Sequence, residues 1–366
     1  MKICFVSDTV DYSWGGGRFA YSMIKTLKDN FGIQSIILIY RGEKKLLKEA
    51  KPILFRHSII GRFIINPLII AWYSRNADLI HAFDGWPLTV EVYLATRLNG
   101  KRYSNSLYAT YAVAPLYRKS QRSLMKLAYD HCSLNSPISH LTEERLKEAY
   151  PKIKTEVINQ GIDFAAYQKP ETRLLVEGNY ILTVAAMKKR KGYHFAIPVF
   201  AKLKEKYPDL KFVIVARKVN DNYSREINKL IKDFNLTENI VRLENLSEDE
   251  LINLYKYAKV FFLPSVSSYS RDYFEGFGSV YLEAQSCGTP VVVSKGGGQE
   301  DALIDGKTGF SIEEGDINGY VRALLKFLDN ETSRRQMSEA AKKFAQSMDW
   351  KENLKKYYER FQEIIS

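Results

Sequence analysis

Two glutamates, Glu275 and Glu283, combine reactive side chains with an informative sequence context. Ionised carboxylates accept hydrogen bonds, so two of them beside a short helix can bind hydroxyl groups. They follow an apolar run, Val260 to Leu263, which ends in Pro264 and is typical of a buried strand stopping at a loop. This placement favours a ligand that carries several hydroxyl groups.

An anion site is predicted next to the two glutamates. The segment around Glu283 has the pattern of a short helix that Gly288 closes, with Pro290 shortly after it. A second apolar run, Val291 to Val293, then leads into the glycine-rich stretch 296–298. Backbone N–H groups of a helix N-terminus and a glycine loop bind anions. A phosphate site beside hydroxyl acceptors indicates a sugar nucleotide.

Strand and helix patterns alternate along the chain, as expected for an α/β fold with parallel sheets covered on both faces. A strand over Ile3 to Ser7 leads to a glycine-initiated helix, and the alternation restarts after the polar break at Lys169-Pro170-Glu171. We therefore predict two doubly wound domains, 1–168 and 169–348, and a terminal helix within 349–366. Ligand is expected at the carboxyl ends of the strands, in the cleft between the domains.

Several local predictions bear on the first domain. The spacing predicts a strand over Ser106 to Tyr111, one basic amphipathic helix over Tyr117 to Ser133, and a strand over Val157 to Asp163. Thr142 is predicted to cap the helix that starts at Glu143. In the second domain, Ser247 with Glu250 three positions later has the pattern of a capping box.

Composition narrows the class of protein. With 366 residues, 45% hydrophobic and 26% charged, the chain is globular and long enough for two domains. Its net charge of +12 suits anionic partners such as nucleotides, anionic lipid or nucleic acid. Three scattered cysteines indicate a reducing compartment, and the opening residues lack the apolar run of a signal peptide, so we expect a cytoplasmic protein.

One apolar segment, Ile59 to Tyr73, stands out from the rest. It is interrupted by Arg62, Asn66 and Pro67, so it is too short to span a bilayer, which requires about 18–20 apolar residues. With arginines inside and around it, the segment suits an anionic membrane surface. The alternative is an ordinary loop and helix packed in a core or groove.

The central stretch resembles the E-x7-E motif of retaining GT-B glycosyltransferases, the group 1 or family 4 type that includes sucrose synthase and bacterial mannosyl- and glucosyltransferases. The resemblance rests on EGFGSVYLEAQSCGTPVVVS followed by GG and DGKTGF. Weaker matches are the N-terminal glycine loop, PKIKTEVINQGID, RKGYHFAI and a tryptophan-led terminal helix. The resemblance implies a GT-B fold of two Rossmann-like domains facing across a cleft, with the terminal helix returning to the first domain.

The resemblance also implies roles for residues of the motif. Glu275, at the catalytic centre, and the backbone after it would hold the donor sugar, and Glu283 would hold the ribose hydroxyls. The same donor-binding role extends to Gly276, Phe277 and Gly278.

Cations are expected on the donor's diphosphate. Relatives commonly place an Arg and a Lys five residues apart after the first strand of the second domain. Lys191 matches the Lys, whereas Ala186 stands at the Arg position, so Lys188 or Arg190 is expected to supply charge. An exposed basic run is the alternative for all three.

On the first domain, the glycine loop with Gly16 and Gly17 resembles the family's loop near the donor phosphate and the acceptor. It also fits a dinucleotide fingerprint, but that fingerprint follows its strand at once, and here residues 7–14 intervene. Where many relatives carry a catalytic-centre His, this chain has Ala112. The acceptor-side candidates are His81 and Asp84, at a predicted strand end, and Tyr111; a structural role is the alternative for His81.

No cofactor and no metal are expected, because the sequence has neither a metal-ligand cluster nor a D-x-D motif. In this family, side chains and helix dipoles usually balance the charge of the leaving group. The resemblance implies a hexosyltransferase that retains anomeric configuration, with Glu275 neither nucleophile nor general acid. The predicted partners are a UDP- or GDP-sugar and a glycan or lipid-linked acceptor for cell-surface polysaccharide or glycolipid, with no nucleic acid.

Two other classes stay open on sequence alone. One is another GT-B enzyme, a phosphorylase or an epimerase; a phosphorylase would carry a pyridoxal-phosphate lysine. The other is a non-catalytic basic module that binds membrane or nucleic acid, which the net charge alone would also suit.

Overall fold

The computed structural model describes residues 1–11, 15–43, 45–169, 174–217, 221–268, 270 and 273–366. The strands are β1 (Lys2–Ser7), β2 (Gln34–Tyr40), β3 (Lys51–Leu54), β4 (Leu79–Phe83), β5 (Tyr103–Leu107), β6 (Leu134–Pro137), β7 (Tyr180–Val184), β8 (Lys211–Val215), β9 (Ile240–Leu243), β10 (Val260–Leu263), β11 (Val291–Ser294) and β12 (Gly309–Ile312).

Helices separate nearly all of these strands along the chain. The α-helices are α1 (Gly15–Phe31), α2 (Asn66–Ser74), α3 (Leu88–Asn99), α4 (Ala109–Tyr117), α5 (Lys119–Asp130), α6 (His140–Ala149), α7 (Tyr193–Lys206), α8 (Asn222–Asp233), α9 (Glu248–Tyr257), α10 (Ser279–Ser286), α11 (Ile317–Asp329), α12 (Glu331–Ser347) and α13 (Trp350–Ile365). A π-helical turn, Gly61–Ile65, precedes α2, and short 3-10 turns include Lys189–Lys191.

Two compact units divide the chain. The first contains residues 1–161, a short segment that ends at Gly276, and residues 350–366; the second contains residues from Ile162 onward apart from these. The predicted linker at Lys169-Pro170-Glu171 lies outside the described residues except for Lys169. The boundaries 1–168, 169–348 and 349–366 stay predictions.

The first unit is built on a six-stranded parallel sheet in the order β3-β2-β1-β4-β5-β6. Its central strands are buried along almost their whole length, because helices cover both faces, and this explains the continuous apolar run of β1. The direction in which the chain adds strands to the sheet reverses between β1 and β4, which run parallel to each other. Loops after these two strands diverge there and leave room for a ligand.

The second unit repeats this arrangement, with a six-stranded parallel sheet in the order β12-β11-β10-β7-β8-β9. Its switch point lies between β7 and β10. One face packs on α7 and α11 through a core that includes Phe200, Phe212 and Phe262. The two Rossmann-like halves predicted from the alternation are confirmed.

The last helix, α13, belongs to the first unit, as predicted for the terminal helix. The rings of Trp350 and Phe19 of α1 meet edge to face at 5.1 Å. The hydroxyls of Tyr357 and Ser106 lie 2.8 Å apart in the core. Gly161 lies against Trp350 so closely that a Cβ there would come within 2.9 Å of the indole.

Several local predictions were wrong in the first unit. The strand expected to continue to Tyr111 ends at Leu107, and Tyr111 lies on α4. The basic helix is confirmed as α5 but is shorter than predicted, because Tyr117 ends α4 and Arg118 has extended backbone. No strand of the sheet covers the described residues 157–161, and Ser139, not Thr142, caps α6 by accepting the Thr142 N–H. The capping box of Ser247 and Glu250 is confirmed.

Candidate functional site

The switch point of the second sheet is held together by backbone contacts between the loops after β7 and β10. Gly192 has φ +69, and a Cβ on it would lie 1.7 Å from the carbonyl oxygen of Pro264. The Val266 N–H donates to the Arg190 carbonyl at 2.7 Å. Only glycine permits both this backbone conformation and this approach. The basic segment after β7 is therefore fixed against the end of β10.

The three basic candidates, Lys188, Arg190 and Lys191, differ in how far they are exposed to solvent. Lys191 is 8% exposed, whereas Lys188 is exposed and Arg190 is partly buried. Ala186, at the position where relatives carry Arg, is exposed. Lys191 is the one of the three whose stem the fold encloses. A lysine ammonium acts toward phosphate as a point charge.

The N-terminus of α10 lies in the same loop cluster. Its first residue follows Gly278, which has φ +80 and whose Cβ would meet the Tyr281 ring at 2.3 Å. Gly278 provides no side-chain cap, and the first turn has no acidic residue. The early N–H groups and the positive end of the helix dipole therefore suit an anion. Phe277, almost completely buried, anchors the turn.

Glu283 lies on α10 and is only 2% exposed. The Tyr255 hydroxyl donates to its Oε2 at 3.0 Å. Burial, followed by the nearby Glu283 carboxylate, raises the pKa of Tyr255 well above its usual range, so the phenol stays a donor. The carboxylate is thereby held in one orientation. A second hydrogen bond network, in which the Tyr281 hydroxyl meets Ser265 at 3.1 Å and the Leu263 carbonyl at 3.2 Å, ties α10 to β10.

The loop after β10 contains polar groups that sequence reasoning missed. Backbone N–H groups of Ser267 and Ser268 donate to the Glu314 carboxylate at 2.8 and 3.2 Å. The Ser267 hydroxyl is buried and has no hydrogen-bond partner among the described residues. A polar serine run directly after a buried strand was the signal that could have identified it.

The glycine loop after β11 forms hydrogen bonds within itself. The Gly296 N–H donates to Glu300 at 2.8 Å, and the Gln299 side chain donates to the Ser294 carbonyl at 2.8 Å. A Cβ on Gly297 would lie 1.9 Å from Gln299 Oε1. At least one N–H of the loop predicted to bind an anion is thus already used by the loop's own carboxylate.

Glu275 and Gly276 belong to the first unit, whereas Phe277, Gly278 and Glu283 belong to the second. Glu275 is 6% exposed. A Cβ on Gly276 would lie 2.7 Å from Cβ of Ala109, so the chain passes very close to the start of α4. Phe274 packs into the core around α4 to α6 and anchors this segment.

The predicted glycine loop lies partly outside the described residues, and its helical end begins α1. Gly16 and Gly17 are in the first turn of α1. A Cβ on Gly17 would lie 2.8 Å from the Asp11 carbonyl oxygen and 2.8 Å from Cγ2 of Thr9. Glycine at 17 therefore allows the start of α1 to approach the chain that leaves β1.

The strand-end position expected of His81 is wrong, and its burial supports the structural role given as the alternative. His81 is in the middle of β4, not at its end, and its side chain is completely buried. Its Nδ1 lies 2.8 Å from Ser104 Oγ and its Nε2 lies 3.0 Å from Ser106 Oγ. Burial lowers the pKa of His81 to about 3, so the imidazole is neutral. It is a structural residue that links β4 to β5.

Asp84 and Tyr111, by contrast, line a cavity of about 250 Å³ in the first unit. This cavity, called the arginine cavity below, lies where β1 and β4 end. Its lining residues are Asp8, Tyr40, Arg56, Arg62, Asp84, Trp86, Pro87, Leu88, Thr110, Tyr111, Ala114, Pro115 and Arg118.

Close backbone contacts hold Asp84 and Gly85, next to the arginine cavity at the end of β4. Asp84 has φ +79 and accepts a hydrogen bond from the Gly85 N–H at 2.8 Å. Burial raises the pKa of Asp84 well above its usual range, against that hydrogen bond. A Cβ on Gly85 would lie 2.2 Å from the Tyr111 carbonyl oxygen. Ala112, where relatives carry His, is buried in the core, so Tyr111 is the exposed neighbour beside the cavity.

In the ranges that the structure describes, no three His, Cys, Asp or Glu side chains are grouped as metal ligands would be. Within the same ranges, no helix combines the length and hydropathy needed to cross a bilayer.

Comparison with known proteins bears directly on the second unit. Residues 166–344 match the family model described as glycosyl transferases group 1. The second unit of the chain is therefore similar to group 1 glycosyl transferases. The resemblance predicted from Glu275, Glu283 and their surroundings is confirmed at the level of the family.

Two curated bacterial proteins are similar to this chain. The GDP-mannose-dependent alpha-(1-6)-phosphatidylinositol monomannoside mannosyltransferase of Mycolicibacterium smegmatis is 24% identical over 268 residues, which cover 71% of this chain and 69% of the relative. The capsular polysaccharide biosynthesis glycosyltransferase CapM of Staphylococcus aureus is 25% identical, over 66% of this chain and 64% of that protein.

A solved structure is similar to this chain over its whole fold. Anabaena Alr3699/HepE in complex with UDP superposes with a TM-score of 0.81 at 18% identity, covering 99% of this chain and 100% of that chain. At such identity the likeness shows the fold alone. The predicted GT-B fold is confirmed.

Proposed function

We propose that this group 1 glycosyltransferase moves a hexose from a UDP- or GDP-sugar to a glycan or lipid-linked acceptor, with retention of anomeric configuration. The observation that carries the donor part is the buried, tyrosine-held carboxylate of Glu283 on α10, whose N-terminus has no acidic residue in its first turn. A carboxylate for hydroxyls beside a helix N-terminus for phosphate matches a sugar nucleotide.

Each donor group then has an assigned partner. Glu283 accepts hydrogen bonds from the ribose hydroxyls, and the α10 N-terminus and Lys191 take the diphosphate, with Lys188 and Arg190 adding charge. Glu275 and the backbone of Gly276, Phe277 and Gly278 hold the sugar. Protein cations and backbone dipoles would neutralise the leaving group without a metal.

The proposed transfer balances without a protein nucleophile. An acceptor hydroxyl oxygen forms the new bond to the anomeric carbon on the face from which the nucleotide departs. The bond from that carbon to the phosphate oxygen breaks, and the departing phosphate takes the proton of the hydroxyl. Stabilising the charge that grows on the diphosphate is then the protein's main contribution.

The acceptor part rests on two supports. The arginine cavity provides a concave site on the first unit, where Asp84 and Tyr111 lie. Two relatives are named for work on a phosphatidylinositol mannoside and on a capsular polysaccharide. We therefore place the reaction in the synthesis of cell-surface glycolipid or polysaccharide, on the cytoplasmic side of the membrane.

A membrane-facing surface fits the same proposal. Five large apolar side chains on the π-helical turn, on α2 and just before them are 56–77% exposed. They form what we call the apolar stripe: Ile59, Ile60, Ile64, Leu68 and Trp72. The last four are spaced by four residues and therefore share one helix face. Apolar faces beside basic residues bind at the surface of anionic bilayers.

The most informative test is a thermal-shift panel of the purified chain with UDP, GDP and ADP. The donor nucleotide should raise the melting temperature, because a ligand that binds only the folded state stabilises it by about 2.7 kcal/mol at one hundred times its Kd. The responding base names the donor class. Release of sugar from the matching nucleotide sugar should follow, and the α- or β-configuration of the product reports retention.

The panel carries its own negative result. If none of the three nucleotides protects the fold while vesicles or nucleic acid bind, the chain is a binding module and the proposed function is wrong. An inverted product would overturn only the retaining mechanism.

A further inference from the structure

The arginine cavity has an unusual charge balance that the donor chemistry does not use. Three arginines, Arg56, Arg62 and Arg118, line it together with two aspartates, Asp8 and Asp84. Its volume of about 250 Å³ is close to the lower end of the roughly 300–1,000 Å³ typical of small-molecule pockets.

One of the three arginines is neutralised within the protein. Arg56 forms an ion pair with Asp8 at 3.0 Å and a second one with Glu43. Its guanidinium is therefore part of the wall. Its position is further supported by the Tyr40 ring, whose centroid lies 5.8 Å from the guanidinium carbon.

The other two arginines differ from it. In the described ranges, neither Arg62 nor Arg118 forms a side-chain hydrogen bond or an ion pair, and the Nε of Arg62 is buried without a partner. A buried, unpartnered polar group costs free energy of about 1–3 kcal/mol, and more when charged. Arg62 is partly buried within electrostatic range of Asp8 and Glu91, and Arg118 is exposed to solvent. Two guanidinium groups without hydrogen-bond partners among the described residues, in one concave site, indicate a ligand that carries negative charge.

Buried hydrogen bonds hold the segment that carries Arg62 in place without a ligand. Asn66, at the start of α2, accepts from the Phe55 N–H at 2.8 Å and donates to Glu91 Oε2 at 2.9 Å. Glu91 also accepts from the Tyr40 hydroxyl at 3.0 Å, and Tyr40 lines the cavity. This buried network joins β2, α3 and the segment that carries Arg62. A site held in this way loses little entropy when ligand binds.

We propose that the arginine cavity binds a phosphate group on the acceptor, with Arg62 and Arg118 as its ligands. The inference rests on the proposed function, since it names the class of acceptor. Planar guanidinium groups donate two parallel hydrogen bonds to phosphate, so a pair of them matches a phosphate ester in both charge and shape. Trp86, Leu88 and Pro115 provide the apolar walls against which the rest of the acceptor packs.

A phosphate ester has two sources, a lipid headgroup and a water-soluble sugar phosphate or polyol phosphate. Arg62 lies between Ile60 and Ile64 of the apolar stripe in sequence, so the cavity wall and the exposed apolar face share one segment. This continuity suits a headgroup at a bilayer surface. The chemistry recognised by the two arginines is the same for both sources.

The test is binding of phosphate probes to the full chain with the donor nucleotide present in excess, so that the donor site is filled. Glycerol 1-phosphate is titrated by calorimetry against glycerol, and phosphatidylinositol vesicles are compared with phosphatidylcholine vesicles. The variants are R62Q and R118Q. R97Q, on α3, and R122Q, on α5, remove the same charge at exposed positions outside the cavity.

We expect R62Q and R118Q each to weaken binding of at least one phosphate probe by about tenfold or more, as for a lost charge-assisted hydrogen bond. R97Q and R122Q should bind that probe within about twofold of the unaltered chain. Binding of glycerol 1-phosphate identifies a soluble acceptor, and binding of the phosphatidylinositol vesicles alone identifies a lipid acceptor.

Two results would overturn the inference. In one, glycerol 1-phosphate is not preferred over glycerol, and phosphatidylinositol vesicles are not preferred over zwitterionic phosphatidylcholine vesicles; in the other, all four variants weaken binding equally. Thermal protection by the donor nucleotide is measured for every variant. It shows that the variants are folded, and its absence in the unaltered chain would count against the proposed function, separately from the arginine cavity.

Discussion

The two sheets have the same strand order, yet their carboxyl ends are finished in different ways. At the end of β7 and β10, Gly192 and Pro264 are in backbone contact and the polar groups are held by neighbouring side chains. At the end of β1 and β4, side chains from five separate segments enclose a cavity of about 250 Å³.

This difference teaches how one fold divides its work. The second unit presents backbone N–H groups and one oriented carboxylate, which suit the constant part of a nucleotide. The first unit presents long side chains, which can change without altering the sheet. Parts that recognise a variable ligand are expected on such loops.

The largest effect is expected from closing the backbone contact at the second switch point. Gly192→Ala places a methyl group 1.7 Å from the Pro264 carbonyl oxygen at φ +69. Left-handed backbone costs a non-glycine residue about 1–2 kcal/mol, and overpacking adds about 1–3 kcal/mol. Urea unfolding should show a total loss of about 2–5 kcal/mol.

Gly178→Ala is the matched control for that variant. Gly178 has φ +84 but nothing within 4 Å of its Cβ, so only the backbone cost of about 1–2 kcal/mol is expected. Equal losses in the two variants would contradict the role of the Pro264 contact.

Glu283→Ala should follow in size, measured as function. Loss of a charged hydrogen-bond acceptor costs about 1.5–3 kcal/mol, or roughly 10–150-fold in nucleotide affinity and in turnover of nucleotide sugar. Far-ultraviolet circular dichroism should stay that of the folded chain. Turnover unchanged by the substitution would refute the assignment of Glu283 to the donor.

The buried imidazole of His81 in β4 predicts that the free energy of unfolding depends on pH. The pKa of His81 falls from 6.5 to about 3 on burial, so between these values the unfolded chain binds a proton that the folded chain does not. Stability from this group is complete above pH 6.5 and declines as pH falls, by about 2 kcal/mol at pH 5.

H81Q isolates that contribution. The difference in unfolding free energy between the unaltered chain and H81Q should shift by about 2 kcal/mol between pH 7.5 and pH 5. The difference is the right quantity because burial also raises the pKa of Glu91 to about 8, which changes stability in the opposite sense over this range. A difference that does not vary with pH would contradict the buried, neutral imidazole.

The smallest effect concerns the apolar stripe. Ile64→Asn and Trp72→Asn should each reduce binding to anionic vesicles about fivefold, as expected when about 1 kcal/mol of apolar burial is lost. Leu98→Asn is the control, because Leu98 is 58% exposed on α3 and lies outside the stripe.

The salt dependence of vesicle binding is a second test of the surface around the apolar stripe. Raising ionic strength from 0.1 to 1 M shortens the Debye length from about 10 to about 3 Å, so binding to anionic vesicles should fall. Binding that is equal on neutral vesicles at every salt concentration would contradict an electrostatic contribution.

Sequence reasoning succeeded where local patterns decide structure. The strand Val260–Leu263 has the predicted bounds, and the strand predicted over Ile3 to Ser7 is β1, because apolar spacing and turn residues fix such elements locally. Both doubly wound sheets followed from the alternation of these patterns.

Two of the failures share a physical cause, which is contact between residues distant in sequence. His81 was assigned to a strand end because nothing local shows that Ser104 and Ser106 receive its ring. The arginine cavity escaped notice because Arg62, Asp84 and Arg118 are far apart in the chain and meet only through the order of the strands. No periodic pattern contains that information.

The place of α13 has a consequence for biosynthesis. Trp350 and Tyr357 supply core contacts to Phe19 and Ser106, residues that are translated more than two hundred positions earlier. While the ribosome is completing the second unit, the first unit still lacks a buried helix and exposes an apolar groove. The unit that is made first is therefore finished last, and a nascent chain stalled before residue 350 should be a substrate for chaperones.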